Sequence, residues 1–303
     1  MLNSAVNSRW EQSGVTIAGN YEWGDNTNRL QLPEGLFVND DQTIAIADFG
    51  NHRIIQWKVV DKIGRVVAGG MNKDNPLDQL KWPTDVLIDK ETDSLIICDQ
   101  GNRRVVRLLR WSEISQIEIL IDNITCRGLA MDDQKYLYIS DYKNHEVRRY
   151  QIGNKTGTIV AGGNGKGAGL NQLNFPTYLF VDRQHNVYVS DKDNHRVIKW
   201  STGAKEGIIV AGGQGEGNAP RQLSNPRGIF VDASGNLYVA DSMNHRVMCY
   251  RHGAKDGVAI VGGNYQGSEA NQFNELGGLS FDFHGNLYVV DHYNNRVQRF
   301  SLK

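Results

Sequence analysis

Cysteine is scarce in this chain: Cys98, Cys126 and Cys249 are the whole complement. Their positions share no spacing that would make a disulfide framework or a zinc site, so the reading is of buried free thiols. Long apolar runs are also missing. None approaches the roughly 20 residues needed to span a bilayer, and membrane insertion is not expected. Residues 1–12 are polar and lack the apolar stretch of a secretory leader. Secretion would therefore require release from a longer precursor, and the chain could be a fragment of a larger protein; the compartment is left open. Two matches to the glycosylation acceptor pattern, Asn123-Ile124-Thr125 and Asn154-Lys155-Thr156, add little, because such triplets are common by chance. An excess of either charge is absent: 33 Lys and Arg stand against 34 Asp and Glu, for a net charge of −1. That balance argues against an obligate polyanion binder while leaving room for a local basic patch. Finally, no Gly-Lys-Ser/Thr sequence is present. The run Gly163-Asn164-Gly165-Lys166-Gly167 leads to Pro176 and another strand rather than to a helix N-terminus, so it is not read as a phosphate cradle.

What the chain has instead is repetition. A small residue, Asp, two variable residues, Asn, usually His-Arg, then Val or Ile occurs six times, starting from Asp48, Asp99, Asp141, Asp191, Asp241 and Asp291. The steps are 51, 42, 50, 50 and 50 residues. A period near 50 with strand-like content marks one supersecondary unit used repeatedly. The fifth copy shows its parts. Ile229-Phe230-Val231, Leu237-Tyr238-Val239-Ala240, His245–Tyr250 and Val258–Val261 read as strands, separated by turns rich in Gly, Ser and Asn. Four short antiparallel strands make one propeller blade, and six motifs predict an all-β, six-bladed β-propeller.

The ring also has a predicted clasp. The last repeat stops at Phe300-Ser301-Leu302-Lys303, after its third strand, while Val15-Thr16-Ile17-Ala18-Gly19 near the start is an orphan copy of a fourth strand. We expect the N-terminal strand to complete the C-terminal blade. Residues 1–14 are then a lead-in and 15–303 one propeller, with repeat cores at 33–57, 83–108, 126–150, 176–200, 226–250 and 276–300. Leu30, Leu80, Leu173, Leu223 and Phe273 are expected to anchor the loops between blades.

The frame Pro-x-Gly-apolar-Val-Asp, Gly-Asn-Leu-Tyr-Val-Ala-Asp, Asn-His-Arg-Val resembles the NHL repeat, whose members form six-bladed propellers. The resemblance spans about residues 15–303 and is strongest in repeats four and five. Repeat two departs at Gln100-Gly101-Asn102-Arg103-Arg104, repeat three has Glu146 in the Arg position, and the connection between them is short and lacks the Gly-Gly signature. Some members of the family bind RNA, and some end tripartite-motif ubiquitin ligases or serve as sensor domains of bacterial kinases. No RING or kinase motif is present here, so in such a system this chain would supply recognition only. Related propellers include metal-dependent lactonases and an amidating lyase, which implies an axial metal that Glu34 and Asp85 could reach; a full ligand set is not identifiable.

Six-fold recurrence argues that the shared polar residues are staples, since an active site occupies one place rather than six. Asp48, Asp99, Asp141, Asp191, Asp241 and Asp291 are expected to accept N–H bonds within their turns. Asn51, Asn102, Asn144, Asn194, Asn244 and Asn294 are expected to take the left-handed conformation. The Arg five positions after Asp should pair across the hairpin. His52, His145, His195 and His245 read as turn and packing groups rather than metal ligands.

Function should sit where repeats differ. The start of each innermost strand and the second hairpin turn share one face, near the channel mouth. There the variable residues include Glu34, Phe49, Asp85, Arg127, Tyr142, Tyr178, Arg227, Met243, His292 and Tyr293. Aromatics, Arg and acids together suit a protein or peptide ligand. The expectation is a monomeric, non-catalytic interaction scaffold, without catalytic residues, metal or cofactor. The alternatives are an RNA-binding propeller, using Arg103, Arg104, Arg107, Arg110, Arg148 and Arg149 with Trp111 and Tyr150, or a metal-dependent enzyme of the lactonase or amidating-lyase type.

Overall fold

The computed structural model describes residues 10–20, 22–70, 79–109 and 117–303. They form six four-stranded antiparallel sheets. The innermost strands are Pro33–Val38, Pro83–Asp89, Cys126–Met131, Pro176–Val181, Pro226–Val231 and Leu276–Phe281. Second and third strands carry β-branched and aromatic residues that are almost wholly buried, as in Leu237–Asp241 and Arg246–Tyr250. The fourth strands are exposed over their first half, as Val258–Gly262 is, because only one face meets the ring. Apolar clusters lie between neighbouring blades; one joins Ile17, Leu36, Ile46, Tyr288 and Val297. Each fully buried aliphatic side chain contributes about 1.5–3 kcal/mol, so the ring is held by blade-to-blade contact. The loop anchors Leu30, Leu80, Leu173, Leu223 and Phe273 are all buried.

The clasp forms as expected. Val15–Gly19 pairs antiparallel with Arg296–Phe300, with Val15 opposite Arg299 and Gly19 opposite Arg296. The contact extends further back than a lead-in would. Trp10 bridges to Leu302 and is buried between blades five and six, with ring centroids 6.1 Å from Tyr238 and 6.3 Å from Phe281. Residues 1–9 of the lead-in lie outside the described residues.

The Asp staple is larger than a turn. Asp191 accepts the backbone N–H of Asn174, 17 residues earlier at 2.6 Å, along with Asn194 Nδ2 and Arg196 Nε, each at 2.7 Å. Asn194 reaches on to the Gly167 carbonyl, and Arg196 donates to the carbonyls of Ala168, Gly169 and Gln172. The carboxylate therefore ties the hairpin to the connection that enters its own blade. Asp48, Asp99, Asp241 and Asp291 make the same arrangement. In blade three the incoming connection is short, and no long loop needs its carbonyls filled. Thr125 donates to Asp141 there, and Glu146 pairs with Arg148.

Two expectations are corrected. The left-handed residue is not the Asn, whose amide is held by the carboxylate and a loop carbonyl. It is the next residue: His52, Arg103, His145, His195, His245 or Asn295. The histidines turn this conformation to use, for Nδ1 of His52, His145, His195 and His245 accepts the backbone N–H of Trp82, Phe175, Asn225 and Glu275 in the following blade. The second correction concerns cysteine. Cys98 and Cys126 form a disulfide between blades two and three, with Cα atoms 5.8 Å apart; Cys249 is free and buried. The position before the motif Asp faces the next innermost strand, and at other boundaries it holds Ser140, bonded to the Thr177 carbonyl, or Ser190, bonded to that of Arg227. Ring closure makes neighbours of residues that looked unrelated along the chain.

Candidate functional site at the channel mouth

The innermost strands approach one another so closely that side chains compete for the axis. Their third positions are Gly35, Asp85, Gly128, Tyr178, Gly228 and Gly278. A Cβ on Gly228 would lie 2.6 Å from the backbone nitrogen of Leu279, and one on Gly128 would lie 2.5 Å from the Thr177 carbonyl. Four glycines thus allow the narrow ring, and Asp85 and Tyr178 alone fill the axis at that level.

One level nearer the mouth, the second positions carry Glu34, Arg127 and Arg227. Glu34 Oε1 accepts Arg127 at 2.6 Å, and Oε2 lies 3.4 Å from Arg227 and 3.5 Å from the Tyr178 hydroxyl. His292 Nδ1 stands 3.9 Å from Glu34 and 2.9 Å from the Pro33 carbonyl, and Glu275 holds the other side of Arg227 at 3.4 Å. Burial alone would raise the Glu34 pKa, but Arg127, Arg227 and His292 outweigh it and hold it at about 2. Burial lowers the pKa of His292 and raises that of Tyr178. Asp85, buried and bonded to the N–H groups of Val86 and Leu129, is pushed up to about 7 by desolvation.

The structure thus brings together Glu34, Arg127, Tyr178, Arg227 and His292, with Asp85 directly beneath. Of the rest of the expected set, Tyr142 and Tyr293 border this cluster, Tyr142 acting on the charge of Arg127 and Tyr293 touching His292. Phe49 stacks on Trp82 at 6.3 Å, Tyr142 packs on Phe175 at 4.8 Å, and Tyr293 meets the edge of His292 at 4.7 Å. Met243 and Tyr293 are 43% and 49% exposed. Glu275 in the charge cluster and Trp82 on the rim were not singled out from sequence. Both stand just before an innermost strand, and their shared left-handed φ is not legible in residue type.

The arginine edge is less basic than its composition. Arg104 is buried against Asp99, Arg107 pairs with Glu118, and Arg148 pairs with Glu146, while Arg149 lies over the Tyr136 ring. Arg110 and Trp111 lie outside the described residues. Among the described residues, one group has metal-ligand character, Asp132, Asp133 and His185, and none of its members belongs to the axial cluster.

The NHL repeat family profile matches residues 223–250. No curated protein sequence matches the chain significantly. Among solved structures, a Bacteroides thetaiotaomicron protein of unknown function is 17% identical with a TM-score of 0.78, over 97% of this chain and 77% of its own. An auxiliary nutrient binding protein from the same organism is 15% identical with a TM-score of 0.76 over the same shares. A gluconolactonase from Xanthomonas campestris is 14% identical with a TM-score of 0.67, over 100% and 99%. At such identities the likeness carries the fold alone. Six copies of one blade sequence folded into a closed ring, one of them matched by the NHL repeat profile at residues 223–250, make this chain an NHL-type six-bladed β-propeller.

Proposed function

We propose that this propeller is a non-catalytic recognition module that binds a protein or peptide segment on its channel-mouth face, and that it does so as a monomer. The supporting observation is a division of labour on that face. At the centre, Glu34, Arg127, Arg227 and Glu275 balance one another in charge, although Arg127 Nε is buried without a hydrogen-bond partner among the described residues. On the rim, Trp82, Met243 and Tyr293 leave 43%, 43% and 49% of their surface exposed, with Phe49 stacked on Trp82 and Tyr142 packed on Phe175. Exposed Trp82, Met243 and Tyr293 around a charge-balanced centre suit a contact surface better than a reaction centre. The Cys98–Cys126 disulfide favours an oxidising compartment.

The enzyme reading draws on the gluconolactonase fold. It asks Glu34 to serve as a metal ligand, which would take from Arg127 its carboxylate partner and from Arg227 one of its two. Metal analysis of the purified protein addresses this reading: a stoichiometric divalent ion at the axis would replace the scaffold proposal.

The recognition proposal is tested by capture and mass-spectrometric identification, with and without nuclease, comparing the native chain with a triple Trp82→Ala, Met243→Ala, Tyr293→Ala variant. A nuclease-resistant protein partner that the triple variant loses is the expected result. A partner held equally by both chains would move the site off this face, and one lost only to nuclease would shift the reading to RNA.

A further inference from the structure

Below the charge cluster the axis opens again. A cavity of about 200 Å³ is lined by the third to sixth positions of the innermost strands, including Leu36, Leu87, Leu129, Phe180 and Phe230, and ends at Asp85 beside Tyr178. Its walls are mostly apolar, with Ser280 the polar side chain beyond Asp85 and Tyr178, and it faces away from the channel mouth, toward the ends of the innermost strands at Met131 and Val181. The charged groups nearest Asp85 are already committed. Arg127 belongs to Glu34, and Arg227 is shared between Glu34 and Glu275, so two bases balance two acids. Asp85 is left over. It is buried, it accepts two backbone N–H bonds, and it has no ion-pair partner among the described residues. Desolvation raises its pKa, and the Glu34 charge adds to that effect against Arg127.

We propose that this cavity binds a small apolar primary amine, with its ammonium on Asp85 and its hydrocarbon body against Leu129, Phe180 and Phe230. A buried carboxyl without a counter-ion at the end of an apolar cavity is completed by one positive charge that brings its own apolar body. A divalent cation would lack ligands here, since the walls beyond Asp85 carry no second carboxylate. An anion would meet Asp85 unfavourably. This site lies on the opposite side of the Glu34 cluster from the recognition face and does not depend on that reading.

The test is calorimetric titration of the full chain at pH 8 with n-hexylamine, 1-hexanol and hexanoate, which share a body and differ in head group. At this pH the amine is protonated and Asp85 ionised. The expected result is at least tenfold tighter binding of the amine than of the alcohol, with hexanoate weakest. Asp85→Asn should bring amine and alcohol to equal affinity. Phe230→Trp, which reduces the cavity without touching Asp85, should weaken both. Equal affinities in the native chain, no binding of the amine, or an amine preference that survives Asp85→Asn in a folded variant would each overturn the proposal. Because the head-group comparison uses the native chain, it holds even where Asp85→Asn fails to fold.

Discussion

His245 Nδ1 accepts the backbone N–H of Glu275 at 3.2 Å, across the boundary between blades five and six. The imidazole must be unprotonated at that nitrogen, and its environment agrees: burial lowers the pKas of both His52 and His245. At the boundary between blades six and one, Asn295 does the same with its side-chain oxygen, accepting from Leu32 at 2.9 Å. A folded-state pKa below the unfolded one means stability that is present above about pH 6.5 and lost as the pH falls. The histidines' share of the stability should drop on acidification from pH 7 to 5, against the opposite contribution of Asp85 over the same range. The double variant His52→Asn, His245→Asn should keep neutral-pH stability and flatten that drop. His245→Ala should instead cost about 1 kcal/mol at neutral pH by leaving the Glu275 N–H without its acceptor.

Deleting residues 1–20 removes both the closing strand and Trp10, and should lower the melting temperature sharply. Trp10→Ala separates the two contributions. Loss of a buried Trp costs about 3–5 kcal/mol, which denaturant unfolding would read directly. An unchanged midpoint would show that blades five and six close without it.

Reducing the Cys98–Cys126 bridge releases a loop closed over a sequence separation of 28, worth roughly 3–4 kcal/mol in chain entropy. Cys98→Ala combined with Cys126→Ala should lower stability by that order. The double variant should also be insensitive to added reductant, whereas the native chain should melt earlier in its presence.

Arg196→Ala leaves Asp191 buried without its cation and empties the bonds to Ala168, Gly169 and Gln172. Such a truncation costs about 3–5 kcal/mol. Arg148→Ala, at a partly exposed arginine outside the motif position, should cost far less. Comparing the two denaturation midpoints tests whether the recurring motif is a structural staple.

Glu34 and Asp85 push acid stability in opposite directions. Glu34, held at about 2, contributes stability that is present above about pH 4.5 and lost as the pH falls toward 2. Asp85, raised to about 7, makes the native state progressively less favourable as the pH rises from about 4 to 7. Glu34→Gln should therefore remove part of the acid-side loss while destabilising the ring at neutral pH, where Arg127 and Arg227 would lack their shared negative charge. Asp85→Asn should flatten the pH 4–7 decline in the absence of ligand. The same reasoning makes Arg127, Tyr178 and Arg227 poor probes of binding, since replacing all three would uncover the buried Glu34 carboxylate.

Much of this protein was legible in one dimension. The period near 50 residues, four β-rich segments per period and an orphan fourth strand at residues 15–18 together specify six blades and the clasp, because strand propensity, turn chemistry and repeat spacing are all local properties. The Asp–Arg pairing was legible too, since its members stand five residues apart. What only the closed ring decided lies between blades. Glu34 and Arg227 are separated by 193 positions, yet they share an ion pair at the axis. Cys98 finds Cys126 because a hairpin in one blade abuts the first strand of the next. Asp85 is an ordinary strand residue until four glycines at equivalent positions draw the inner strands together and leave it as the unpaired acid of the channel. Repetition writes the blade into the chain, but the chemistry of the axis arises from positions where the repeats differ, and those residues meet only when the ring closes.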